Sequence, residues 1–122
     1  MIRGIRGATT SPDNTKESIW AVSEQLFRKI AADNHIVPEN VSSVIITATK
    51  DLDAAFPAKA LRELDGWKHV PVMCMAEIAV PGALEKCIRV MINADTELKQ
   101  DQVQHVYLEG AVVLRPDLLP SQ

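Results

Sequence analysis

Residues 86–93, KCIRVMIN, decide the architecture, because the run can be read as helix or strand. Ile88, Val90 and Ile92 alternate cleanly with Cys87, Arg89 and Met91, which is the two-residue period of a strand whose faces meet different surroundings. The same run poses a question of charge. An unpaired guanidinium among apolar groups is expensive, so Arg89 either carries its head to water along an apolar stem or meets a negatively charged partner.

Working outward, HVPVMCM (residues 69–75) reads as the strand before it, with Pro81-Gly82 as the break between the two. AFPAKALRELDGW has Pro57 suited to the first turn of a short helix and Asp65-Gly66 as its stop, with Lys59 and Arg62 on one face. VSSVIITAT (residues 41–49) is a β-branched run and a strand. IRGIRGATT opens the chain as a first strand over residues 2–9, where Gly4 and Gly7 leave room for close backbone approach. Between these strands, Ile19, Val22, Leu26 and Ile30 recur at helical spacing up to Asn34, and Asn14 with Glu17 has the form of a capping box. After residue 94 a polar loop leads to HVYLEGAVVLR (residues 105–115), read as a last long strand with Gly110 as the place for a bend. The tail PDLLPSQ, with its two prolines, leaves the sheet, and residues 116–122 are expected to be flexible.

The order of elements gives an α+β domain with a single five-stranded mixed sheet, one long helix on one face, and a short helix. Nothing remains to cover the second face, although its strands are too apolar for water. That face is expected to pack on sister subunits in a closed cyclic oligomer.

A chain of 122 residues is most simply one domain, here residues 1–118. The net charge of −3 argues against a nucleic-acid surface or a basic membrane patch, and no apolar run approaches a membrane span. The start, MIRGIRGATT, shows no export signal. The two cysteines, Cys74 and Cys87, do not make a disulfide framework, so a cytoplasmic protein with reduced thiols is expected.

Most familiar chemistries find no motif. His35, His69 and His105 are isolated, there is no H-E-x-x-H or C-x-x-C, and no metal is expected. Cys74 lies among apolar neighbours that make a thiol inert rather than nucleophilic. GIRGATT matches neither phosphate-binding glycine pattern. What remains is a set of arginines. Arg3 and Arg6 fall on opposite faces of the first strand, Arg89 is central in the fourth, Arg62 is on the short helix and Arg115 ends the last strand. Taken singly, each is more often a surface charge. Two mid-strand arginines with apolar flanks point together to a pocket for a small, multiply charged anion, which a guanidinium can bind bidentately without losing its charge.

The blocks MIRGIRGATT, FPAKALRELDGW, VPVMCMAE, KCIRVMI and HVYLEGAVVLRPDL, in this order and spacing, resemble the monofunctional AroH-class chorismate mutases from the first residue to about Leu118. The resemblance implies a homotrimer forming a pseudo-α/β-barrel with active sites at the subunit clefts. It implies the cofactor-free Claisen rearrangement of chorismate to prephenate in phenylalanine and tyrosine biosynthesis. By the same likeness, Arg89 is the cation at the ether oxygen and Glu77 the carboxylate that accepts the ring hydroxyl. Arg6 and Tyr107 hold a substrate carboxylate, and Cys74 lies near the ring hydroxyl as a weak contact. Met73, Met75 and Ala76 line the pocket, and Phe56, Lys59 and Arg62 come from an adjacent subunit. Leu114 and Arg115, with the tail, close it. Met73 stands where the family pattern has a small hydroxyl residue. Weaker rival readings are an enamine or imine deaminase and a non-catalytic trimer that binds a dicarboxylate.

Overall fold

The computed structural model describes residues 1–114. The elements run β1 (Ile2–Thr10), α1 (Lys16–Asp33), β2 (Val41–Ala48), α2 (Ala58–Arg62), β3 (Val72–Ala76), β4 (Cys87–Asp95) and β5 (Val106–Tyr107), with short 3-10 turns between and after them. The strands form one sheet in the order β3-β2-β4-β1-β5. β4 is antiparallel to both β1 and β2, while β1–β5 and β2–β3 are parallel pairs. KCIRVMIN is therefore the central strand. Helical crossovers accompany the shared direction of β1 and β2, joined through α1 across the intervening β4, and of the neighbours β2 and β3, joined through α2.

The pleat divides the sheet into two chemically different faces. Ile5, Gly7, Val44, Ile46, Ile88, Val90 and Ile92 point toward α1, where they bury against Ile19, Leu26, Phe27 and Ile30. Gly7 is a packing requirement: a Cβ placed there would stand 2.5 Å from Ile30 Cδ1 and 3.1 Å from Leu26 Cδ1. The opposite face carries Arg6 and Ala8 of β1, Arg89 and Met91 of β4, Ile45 and Thr47 of β2, and Met73 and Met75 of β3. Arg89 is thus not inside an apolar run. Its sequence neighbours point the other way.

Four expectations need correction. The last strand is only two residues long. Glu109 takes a left-handed φ of 51°, and Glu109–Val113 turns out of the sheet as a 3-10 helix. Gly110 N–H donates to Thr10 Oγ1 at 3.0 Å, and Ala111 is fully buried. Burial of Ala111 beside Ala8 and Cys87, with Leu84, Tyr107 and Leu114 packed around them, also covers one end of the face expected to be bare. At the start of α1 the cap is Thr15, whose hydroxyl accepts from Ser18 N–H, not Asn14. Asn14 is used over a longer range: its Oδ1 accepts from the N–H groups of Asp53 and Ala54, each at 3.0 Å. The third strand begins later than expected, at Val72, because Pro71 has no N–H and Val70 N–H closes a turn onto Trp67 O at 3.1 Å. Arg115 and the tail over residues 116–122 lie outside the described residues.

Both cysteines are free thiols. Among the described residues no helix is long and apolar enough to cross a membrane, and no three His, Cys, Asp or Glu side chains cluster as metal ligands.

Candidate active site

The uncovered face gathers charge at the middle of the sheet. Arg89 Nε lies 2.6 Å from Glu77 Oε1, and the Arg89 side chain is 44% exposed against 12% for Glu77. Glu77 follows β3, where its N–H donates to Ala48 O at 3.2 Å. Its Oε1 also accepts from the Thr47 hydroxyl at 2.7 Å. The charge problem posed by the sequence is thus met in two ways at once. Arg89 has an anionic partner, and it keeps an open side for a second anion.

A groove of about 320 Å³ runs across this face and brings Arg6, Arg89, Met91, Tyr107 and Leu114 together. It adjoins a larger cleft of about 850 Å³ lined by Ala76, Glu77, Arg89 and the loop through Val80 and Leu84. Four expected residues, Arg6, Glu77, Arg89 and Tyr107, therefore lie on one continuous surface. Arg6 is placed by β1 and by its N–H, which donates to His105 Nδ1 at 2.9 Å. Arg3, by contrast, is occupied structurally: its Nε donates to Leu98 O at 3.1 Å and its Nη1 to Gln100 Oε1 at 2.8 Å.

A second group of expected residues is gathered elsewhere. Phe56, Lys59, Arg62, Cys74, Met75 and Ala76 border an adjoining cavity of about 650 Å³ between the helices and the β2–β3 edge, which shares Thr47, Thr49, Lys50 and Ala76 with the larger cleft. Trp20 of α1 organises its wall. Its Nε1 donates to Phe56 O at 3.1 Å, and Lys59 Nζ sits 4.3 Å over its ring. Phe56 is exposed over 73% of its surface, so its ring is presented outward. Cys74 points to the α1 side, opposite Arg89, and packs against the main core. Met73 stands across from Ile45 on the Arg89 face and is exposed. One chain thus offers two partial surfaces, one with Arg89 and one with Phe56 and Arg62.

Sequence reasoning missed three residues around Arg89. Thr47 is its neighbour across the β2–β4 ladder, and the register that puts it there leaves no local signal. Asp51 fixes the start of β4, accepting from Lys86 N–H at 2.9 Å and from the Thr49 hydroxyl, while Thr49 Oγ1 accepts from Cys87 N–H at 3.0 Å. Burial pushes the Asp51 carboxyl up, but these hydrogen bonds and the Lys86 charge outweigh it and hold the group below its ordinary value. Cys87 is fully buried. Burial raises its thiol to about 11, against the opposing pull of the Arg89 charge.

A groove carrying two arginines and a tyrosine suits an anionic substrate, and comparison with known proteins names the family. The model of chorismate mutase type I matches residues 2–118. The chain belongs to that family. It is 58% identical over 118 residues to chorismate mutase AroH of Bacillus subtilis (strain 168), covering 97% of this chain and 93% of that protein. It is 45% identical to chorismate mutase AroH of Thermus thermophilus over the full length of both. The solved structure of a chorismate mutase from Clostridium thermocellum superposes with a TM-score of 0.88 at 50% identity, covering 91% of this chain and 98% of that one. The five-stranded mixed sheet with one long and one short helix is thus the chorismate mutase type I architecture.

Proposed function

We propose that this chorismate mutase converts chorismate to prephenate by holding the substrate in its reactive shape and setting a fixed positive charge at the breaking bond. The observation that carries the mechanism is Arg89, paired with Glu77 on one side and open toward the groove with Arg6 and Tyr107 on the other. Chorismate is a dianion with an enolpyruvyl ether, and its rearrangement is intramolecular. No nucleophile, cofactor or proton relay is needed. As the C–O bond stretches ahead of C–C formation, negative charge gathers on the ether oxygen, and a guanidinium fixed there favours the transition state over the ground state. Arg6 and Tyr107 hold a carboxylate, which keeps the side chain over the ring, and Glu77 accepts the ring hydroxyl.

The surface bearing Phe56, Lys59, Arg62 and Cys74 completes the site from a second copy of the chain, in a homotrimer. Supporting this reading are the exposed apolar side chains beside the two surfaces: Phe56, Met73, Met75, Ile78 and Val80. Covering the groove with another subunit would also dry it, strengthening the Arg89 charge. The setting is cytoplasmic, where both thiols stay reduced.

Incubation of the purified protein with chorismate tests the reading. The expected result is rapid loss of the chorismate absorbance with appearance of prephenate, at a rate nearly level between about pH 6 and 9 because no group exchanges a proton. Binding of chorismate without its consumption, or a steep bell-shaped pH profile, would overturn it.

A further inference from the structure

Thr47 lies directly across from Arg89 in the β2–β4 ladder, on the face turned away from α1. Its hydroxyl donates to Glu77 Oε1 at 2.7 Å, the same oxygen that stands 2.6 Å from Arg89 Nε. Side chains from β2, from β4 and from the segment after β3 therefore meet at one carboxylate oxygen. Thr47 also borders all three cavities described above.

We infer that Thr47 is a positioning residue for the rearrangement: its hydroxyl pins Oε1 of Glu77 beside Arg89, so that Oε2 is presented to the ring hydroxyl of the substrate. The inference rests on the roles proposed for Arg89 and Glu77.

Glu77 needs such an anchor. It lies beyond the end of β3, the next residue, Ile78, is 88% exposed, and a glutamate has three side-chain torsions to settle. Thr47 is the opposite case, a β-branched residue within an interior strand paired on both sides, stiff at χ1. A hydroxyl donating to a carboxylate is a charge-assisted bond, stronger than one between neutral groups. It converts the rigidity of the sheet into a fixed direction for the ion pair. Without it, Glu77 and Arg89 can swing together into the open cleft. A misdirected guanidinium weakens an interaction that matters most in the transition state, so the loss falls on kcat more than on KM.

The test compares Thr47→Val, which keeps the shape and removes the donor, with Thr47→Ser, which keeps the donor. Thr47→Val is expected to lower kcat about tenfold with KM changed by less than about twofold, and Thr47→Ser to stay within about twofold of wild type. In a Glu77→Gln background, adding Thr47→Val is expected to cost little more, because the two residues act as one unit. Thr47→Ala carries the same test if the valine variant does not fold. Wild-type kcat in Thr47→Val, with Arg89→Ala strongly impaired, would overturn the positioning role and leave the reading of the site intact. Wild-type kcat in Arg89→Ala would instead remove the reading itself. A loss that serine fails to restore, or that persists in full in the Glu77→Gln background, would show that Thr47 acts through packing.

Discussion

Replacing Arg89 with alanine separates catalysis from folding. On the catalytic side, removing one fixed donor aimed at developing charge raises the barrier by about 3 to 4 kcal/mol, which is roughly 150- to 900-fold in kcat. On the folding side, the Arg89 side chain is nearly half exposed, so most of its attraction to Glu77 is screened by water. Glu77 keeps the hydrogen bond from Thr47, and the apolar neighbours of Arg89 on β4 remain buried against α1. The stability loss should therefore be about 1 kcal/mol, a fall of a few degrees in Tm. The measurement is initial chorismate consumption at saturating substrate, set beside a thermal melt of the same preparation. Turnover within about threefold of wild type by a folded variant would refute the reasoning. So would a catalytic loss no larger than the fraction of protein unfolded.

Two further outcomes follow from charge and burial at the start of β4. Because the folded pKa of Asp51 is depressed, its stabilising contribution is present above the ordinary carboxylate value of about 3.9 and fades as pH falls through the lower folded value. Urea unfolding at stepped acid pH should show a shallower acid limb for Asp51→Asn than for wild type, and identical limbs would remove the assignment. Cys87, buried and held neutral by a thiol pKa of about 11, should resist alkylation at pH 8 in the native protein and react only on unfolding. Mass-spectrometric mapping checks this, and native labelling at Cys87 would contradict it.

Sequence patterns were most legible where one periodicity dominated. The alternation around Arg89 identified the strand β4, the stripe from Ile19 to Ile30 identified α1, and of the two glycines expected to allow close approach Gly7 packs under that helix. They were least legible where a long-range contact overruled a local preference. HVYLEGAVVL has strand-forming residues, yet Thr10 captures Gly110 and the burial of Ala111 turns the chain aside. Asn14 and Thr15 are both good helix caps, and the choice fell to Thr15 because Asn14 is engaged by Asp53 and Ala54. The anionic surroundings of Arg89 follow the same rule. An arginine between apolar residues signals an unusual site, but Thr47 reaches it through strand register and Glu77 from the segment after β3, which no nearby pattern encodes. Their grouping was accessible only through the family likeness, and for Thr47 not at all.

The links from the beginning of α1 to the segment ahead of α2 join folding to the outer edge of the molecule. Asn14 holds the backbone at Asp53 and Ala54, and Trp20 holds it at Phe56. Helix ends open more readily than helix middles, so these residues are expected to open together at a lower cost than complete denaturation. When the first turns of α1 fray, the ledge that displays Phe56 loses its moorings while the sheet persists. Amide exchange in residues 52–56 should accordingly keep pace with exchange at the front of α1, and run ahead of the strands.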